Sequence, residues 1–171
     1  MKITIGQLRK IIKEALLSEG YYEIQPGMGL PDILKRWIAG DKAYDPDNGY
    51  FHGYFSPEEL WPYREYDWSR ESASGIDVIG RDKKPYADKW SMIDDEEGNI
   101  GAQKWDSMVK KMKSSGWITR DPAVVQVGRN GKMKVGEGNH RLAIAKELGI
   151  DVPVRFIFTN EVHLSSASNV K

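Results

Sequence analysis

Residues Val135–Val154 read VGEGNHRLAIAKELGIDVPV, a sequence in which glycines separate three regular patterns. Gly136-Glu137-Gly138 follows a short apolar run and predicts a turn, because glycine adopts the left-handed backbone conformations that tight turns need. Asn139–Leu148 carries small and apolar residues typical of a helix, and Gly149 predicts its end. Asp151–Phe158 is rich in valine and phenylalanine and predicts a strand. The chain here is therefore expected to pass from a strand through a glycine turn into a helix, and then into a second strand.

The residues before this stretch predict the other elements of the same unit. Ala102–Ser115 has apolar residues on one face, which predicts a helix that ends at Gly116. Ala123–Val127 is a β-branched run typical of a buried strand. Asn130-Gly131 is typical of a hairpin turn, and Met133–Val135 predicts the partner strand. The resulting order of elements predicts an α+β fold with a small mixed sheet and helices.

The beginning of the chain predicts a separate amphipathic helix at Met1–Glu19, followed by Gly20 as a stop. Thr4 and Gln7 have the spacing of a capping box. The apolar residues of this segment share one stripe of the helix surface. They are Ile5, Leu8, Ile12, Ala15 and Leu16. A basic helix of this kind packs on a membrane, on its own domain or on a neighbouring chain, and its short length favours the two protein partners.

Residues 20–101 predict an irregular, aromatic-rich extension between this helix and the later unit. We expect a short helix at Asp32–Ala39, then a loop at Gly40–Gly49, which is rich in aspartate, glycine and proline. Tyr50–Phe55 is a candidate strand. Ser56-Pro57 predicts the start of another helix, with serine as the N-cap and proline in the first turn.

The charges divide the later part of the chain. Residues 69–101 are polar and acidic and predict an insertion, and residues 102–160 form the predicted core unit. Residues 161–171 form the tail, in which we expect Ser165–Lys171 to fray. Between residues 41 and 101 there are 7 basic and 15 acidic residues, whereas between 102 and 155 there are 11 and 5. The two parts are therefore expected to complement each other within the chain, or else to mark a partner surface.

The composition excludes several kinds of protein and site. With no cysteine there is no disulfide, no thiolate metal site and no cysteine nucleophile. The histidines His52, His140 and His163 are scattered, which argues against a structural zinc site. No apolar run approaches the ~20 residues that span a bilayer, and no secretion signal begins the chain. The zero net charge argues against coating of nucleic acid. We expect a soluble protein of a reducing compartment.

The turn at Gly136–Gly138, after the predicted strand Met133–Val135, is the candidate binding site. The first turn of a helix presents unpaired N–H groups at the positive end of the helix dipole, and Gly136 and Gly138 allow a ligand to approach the backbone. Arg141, in the first helical turn, can fork onto phosphate oxygens. The same residues also fit a purely structural turn, with Arg141 on the surface and Asn139 as a helix cap.

Two further side chains of this turn are candidates for catalysis. His140 offers a second hydrogen-bond donor, or a group that transfers a proton near neutral pH. Glu137 can hold a magnesium ion that bridges phosphates, or act as a general base. Each of these roles depends on the presence of phosphate at the turn.

From Trp105 to Phe158 the chain resembles the ParB/sulfiredoxin superfamily, whose members include the ParB-like nuclease domains. The family order is a helix, a proline-led strand, a hairpin, a G-x-[HR]-R turn, a helix with small residues and a closing G-x-x-V-P-V segment. Gly149–Val154 matches that close, and Ser56–Leu60 resembles the beginning of the family more weakly. The resemblance implies binding of a nucleotide (ATP, ADP or CTP) with Mg²⁺, and phosphoryl transfer or hydrolysis. The phosphates would be held by Gly136, Gly138, Asn139, His140 and Arg141.

Two departures from the family narrow this expectation. Sulfiredoxin has a cysteine where this chain has Asn139, so reduction of sulfinic acids is excluded. ParB carries a helix-turn-helix domain after its nucleotide unit, and only about thirteen residues follow Phe158 here, so sequence-specific DNA binding is not expected. The paired carboxylates and basic groove of a nuclease are not evident either.

The first residues carry a second resemblance, which concerns the setting of the protein. Met1–Ile12 is similar to the helices that begin many tailed-phage proteins, and Leu17–Gly20 resembles the cleavage pattern of phage head-maturation proteases. Together they look like a capsid-targeting leader. This resemblance implies a phage protein of the host cytoplasm or of the virion interior.

The sequence therefore supports two hypotheses. The first is a nucleotide-binding enzyme in which Glu137 and His140 assist the chemistry and Glu137 serves the metal. The second is a non-catalytic binding module that contacts a phage capsid or inhibits a host protein.

Overall fold

The computed structural model describes residues 3–45, 52–65, 100–117 and 120–164, with the backbone alone for residues 100–104. Within these ranges it contains five α-helices and two small sheets, which confirms the predicted α+β class. None of the described helices is long and apolar enough to cross a membrane.

The larger sheet has four strands in the order β3-β6-β4-β5. They are β3 (Gly53–Phe55), β4 (Ala123–Gly128), β5 (Met133–Glu137) and β6 (Val152–Thr159). β4 and β6 are parallel, whereas β3 pairs with β6 and β5 with β4 in antiparallel fashion. The sheet is therefore mixed, as predicted, and one of its strands comes from the first half of the chain.

A tight loop joins β4 and β5 at the predicted Asn130-Gly131 turn. The Gly128 N–H donates to the Lys132 carbonyl at 2.8 Å, and Gly131 has a φ of 77°. The Asn130 side chain accepts a hydrogen bond from the Lys132 N–H at 3.3 Å. Because this loop is short, β5 must run back along β4, and its last residue pairs with Val124, the second residue of β4.

Three helices accompany the sheet: α3 (Pro57–Leu60), α4 (Ile100–Ser115) and α5 (Asn139–Leu148), and a 3₁₀ turn at Trp61–Tyr63 continues α3. Ser56 caps α3 in a capping box with Glu59, behind the proline of its first turn. The α4 helix begins two residues before the predicted start, so Ile100 and Gly101 belong to a helix and not to the predicted insertion.

The first part of the chain forms α1 (Ile5–Ser18), β1 (Tyr21–Glu23), α2 (Leu30–Ile38) and β2 (Lys42–Tyr44). Thr4 and Gln7 make the predicted capping box on α1. The loop predicted over Gly40–Gly49 is wrong for its first half, because Lys42–Tyr44 pairs in parallel with Tyr21–Glu23. Three-residue strands are too short to show a periodicity in the sequence.

One hydrophobic core joins both halves of the chain. Its first-half members include Leu30, Ile33, Phe55 and Leu60. Along β6, Val154 and Phe156 are buried, whereas Ile157 on the opposite face is exposed, so helices and loops cover chiefly one face of the sheet at this strand.

Several sequence predictions lie outside the described residues. They concern the second part of the loop (residues 46–49), the first part of the candidate strand (residues 50–51), the acidic insertion (residues 69–99) and the end of the tail (residues 165–171).

Candidate functional site

The turn between β5 and α5 is narrower than predicted. β5 continues through Glu137, which is paired with Val124 of β4, so Gly136 lies inside a strand and not in the turn. Gly138 alone makes the turn, in the left-handed conformation with a φ of 91°. A Cβ atom on Gly138 would stand 3.2 Å from the Cα and Cβ atoms of Ala123, so both the backbone angle and the packing require glycine.

The amino end of α5 presents backbone donors. The Leu142 N–H makes the first helical hydrogen bond, 2.8 Å to the Gly138 carbonyl. The N–H groups of the three preceding residues have no carbonyl to bond within the helix. Gly138 makes no side-chain cap, and the first turn of α5 contains no acidic residue. A helix end of this kind favours an anion through its N–H groups and the helix dipole, so the prediction of an anion site at this turn stays open to test.

Arg141 stands at the same end of α5 and is held by two residues that the sequence analysis missed. Its Nη1 donates to the Asp121 carbonyl at 2.7 Å and to the Asp121 carboxylate at 2.5 Å. The guanidinium lies 5.0 Å from the centre of the Trp117 ring, and the Trp117 indole N–H donates to the same Asp121 carbonyl at 2.9 Å. Trp117 and Asp121 thus position the arginine at the rim of the turn.

The hairpin itself contains the signal that could have identified Asp121. Because β5 runs antiparallel to β4, the turn after β5 must lie next to the residues that precede β4. Asp121 is the second residue before β4. A predicted β4–β5 hairpin therefore already places Asp121 beside the glycine turn.

Asn139 is buried and ties the turn to a distant segment. Its side-chain nitrogen donates to the Val135 carbonyl at 3.0 Å, and its side-chain oxygen accepts from the Glu65 N–H at 3.2 Å. Lys134 on β5 also pairs with Glu65 at 3.7 Å. The Asn139 side chain thus joins the turn to residues near the end of the 3₁₀ segment. Because its side-chain atoms already make these hydrogen bonds, a phosphate at the turn would meet the backbone N–H of Asn139.

The pKa of His140 does not match the prediction of a side chain that transfers a proton near neutral pH. Its ring packs edge-on to Trp105, with 6.5 Å between the ring centres. Burial, and secondly the positive charge of Arg141, lower its pKa to about 4. The imidazole is therefore neutral at pH 7 and adds no positive charge to the turn.

Glu137 is exposed at the end of β5, directly before Gly138. Among the residues that the structure describes, no three metal-binding side chains come together. Magnesium commonly takes one or two carboxylates with the oxygens of phosphates and water, so Glu137 fits a magnesium ion only together with a bound phosphate.

Comparison with known proteins finds no relative: no family model, no curated protein and no solved structure matches the chain. The likeness to the ParB/sulfiredoxin superfamily stays a prediction from the sequence.

Proposed function

We propose that this protein binds a phosphate-bearing ligand, of the nucleotide class, at the amino end of α5. The observation that carries the proposal is the position of Arg141 in the first turn of α5, at a helix amino end whose N-cap residue, Gly138, supplies no side-chain hydrogen bond. A helix amino end and an arginine together supply the hydrogen-bond donors and the positive charge that phosphate oxygens need.

Asp121 gives the proposal a second support. Its carboxylate already pairs with Arg141, and the Asp121 side chain is 71% exposed. The guanidinium is therefore bound to a carboxylate that solvent and dissolved ions can reach. Carboxylate and phosphate bind the same fork of an arginine. A phosphate can therefore replace this exposed carboxylate, while the hydrogen bond to the Asp121 carbonyl keeps Arg141 in place.

Titration of the protein with inorganic phosphate, ADP, ATP and CTP, with and without Mg²⁺, tests the proposal. We expect saturable binding, seen by calorimetry and as a rise in melting temperature. Arg141→Ala should weaken it by about 1.5–3 kcal/mol, the loss expected for a hydrogen bond to a charged group. Asp121→Asn should strengthen binding, because it removes the competing anion.

Arg36→Ala is the matched control for these variants. Arg36 also pairs with an aspartate, Asp41 at 2.9 Å, but it lies on α2 and not on α5. Its removal should leave the affinity unchanged. Phosphate affinities that are equal in the wild-type protein and in Arg141→Ala would refute the site.

Chemistry at this site is the further part of the same proposal. With phosphates bound at the turn, the exposed Glu137 would hold Mg²⁺, and the neutral His140 would take part only as a hydrogen-bonding group or a weak base. Turnover of ATP, ADP and CTP by Glu137→Gln and His140→Ala, each compared with the wild-type protein, measures these roles.

A non-catalytic module of a tailed phage is the second candidate function, and the exposure of α1 favours it. None of the α1 residues is buried, so this helix is available to a capsid or host partner. In this case the protein acts in the host cytoplasm or in the virion interior. Nucleotide binding without hydrolysis or transfer would support this candidate over the enzyme.

A further inference from the structure

The apolar side of α1 faces solvent. At about 100° per residue, six apolar residues fall within an arc of about 140° on the helix surface. This apolar arc consists of Ile5, Leu8, Ile11, Ile12, Ala15 and Leu16. Its large members are exposed by 74% at Ile5, 49% at Leu8, 52% at Ile11 and 42% at Ile12.

The contacts between α1 and the described remainder of the chain lie at the carboxyl end of the helix. Leu16 is half-buried, and Lys13 forms an ion pair with Glu23 of β1. The other large apolar residues of the arc contribute nothing to the core. A helix of 14 residues is marginal in water by itself, so an exposed face of this size indicates a docking surface.

We propose that the apolar arc binds the apolar arc of a second copy of this chain, in a parallel pair of α1 helices. The arc has heptad spacing, with Ile5 and Ile12 at the a positions and Leu8 and Ala15 at the d positions. The first of these two heptads has isoleucine at a with leucine at d, the pattern that favours two parallel strands.

The residues beside this seam suit a second copy as well. In a parallel pair, the g position of one helix meets the following e position of the other. Ile11 of one copy therefore meets Leu16 of its partner, and Arg9 meets Thr4, so no like charges oppose each other. The ion pair of Lys10 with Glu14, at 3.9 Å, lies on the side of α1 away from the arc.

The size of the surface sets the strength of the expected dimer. A helix of 14 residues is about 21 Å long, so the pair buries less than the roughly 1,200–2,000 Å² of a standard stable interface. We therefore expect a reversible dimer whose population depends on concentration in the micromolar range, and not a permanent one.

Sedimentation equilibrium of the full chain over a range of micromolar concentrations tests the dimer. The mass should rise with concentration from 19.4 kDa towards twice this value. Leu8→Asp should weaken the association at least tenfold, because it places a charge at a d position. Gly6→Asp is the matched control, since position 6 lies outside the arc and a Cβ atom there has no neighbour within 4 Å.

The absence of cysteine allows a second measurement that does not depend on affinity. With Leu8→Cys, the single thiols of two copies meet at the same d layer, and mild oxidation should produce a disulfide-linked dimer. Gly6→Cys should cross-link much more slowly. A mass of 19.4 kDa at every concentration, or equal cross-linking of the two variants, would overturn the proposal and leave the apolar arc to a partner of different sequence.

Discussion

At the scale of single residues, Gly138 needs both a left-handed backbone and space next to Ala123. Gly149, at the other end of α5, allows these two requirements to be separated. Both glycines flank α5 in the left-handed conformation, with φ values of 91° and 63°. A Cβ atom on Gly138 would lie 3.2 Å from Ala123, whereas one on Gly149 would have no neighbour within 4 Å. The difference between them is therefore the close approach of β4 to the turn.

Replacing each glycine with alanine should show this difference. We expect Gly149→Ala to lower the free energy of unfolding by about 1 kcal/mol, the usual effect of a left-handed alanine. Gly138→Ala should lower it by about 2–3 kcal/mol, because Ala123 or the turn must also shift. Denaturant unfolding of both variants measures the two values, and equal losses would show that the contact with Ala123 is unimportant.

The low pKa of His140 predicts that the folded state loses stability in acid. Its pKa is about 4 in the folded chain and near 6.5 when unfolded, so between these values the unfolded state binds more protons. The contribution of the neutral imidazole is fully present above pH 6.5 and is lost as the pH falls towards 4. Since the ring is only partly buried, we expect a loss of about 1–2 kcal/mol.

Unfolding at pH 7 and at pH 5, for the wild-type protein and for His140→Gln, checks this prediction. Glutamine does not titrate, so the variant should lose less stability on acidification than the wild-type protein does. The same pH dependence in both proteins would mean that other groups cause the acid sensitivity.

The sequence predicted the local structure around the turn before α5 better than the contacts of its side chains. The glycine turn and Arg141 could be identified because a helix start has a clear local pattern. The hydrogen bonds of Asn139 depend on Glu65, which is far away in the sequence. The low pKa of His140 depends on burial, which the sequence alone does not reveal.

At the scale of elements, length decided which predictions were correct. β4, α5 and β6 have strong patterns over five or more residues and were predicted close to their observed bounds, whereas β5, predicted over three residues, extends two residues further. β1 and β2 have three residues each, and their parallel pairing spans α2, so no local pattern could identify them.

The α1 helix is the element that the folded chain needs least. We predict that removal of residues 1–19 leaves a folded protein with unchanged phosphate affinity, because none of the α1 residues is buried and the partly exposed ion pair of Lys13 with Glu23 contributes little. The free energy of unfolding should fall by less than about 1 kcal/mol. Ile33→Ala, in the fully buried part of α2, provides the contrast with an expected loss of about 2–5 kcal/mol.

These measurements belong at low protein concentration, where an α1 dimer would be dissociated. A truncated chain that melts as early as Ile33→Ala would mean that α1 completes the core. It would then contradict the view of α1 as a docking or delivery segment.

At the scale of the whole molecule, the predicted core unit of residues 102–160 shares its sheet with the first half of the chain. Phe55 of β3 is paired with Val152 of β6. The ring of Phe55 lies edge-on to Phe156, with 5.6 Å between the ring centres. The turn before α5 is connected in the same way, through the hydrogen bond between Glu65 and Asn139. The site is thus built from both halves.

We therefore predict that residues 102–160 do not fold by themselves, whereas residues 20–164 do. The shorter piece lacks Leu30, Ile33, Phe55 and Leu60, whose burial contributes roughly 1.5–3 kcal/mol each. Their sum is comparable with the net stability of a whole domain, about 5–15 kcal/mol. Amide hydrogen exchange and thermal unfolding of the two pieces measure the difference. Cooperative unfolding and protected β4 amides in the shorter piece would show that the second half is an independent domain, and the first half would then be an accessory to the proposed phosphate site.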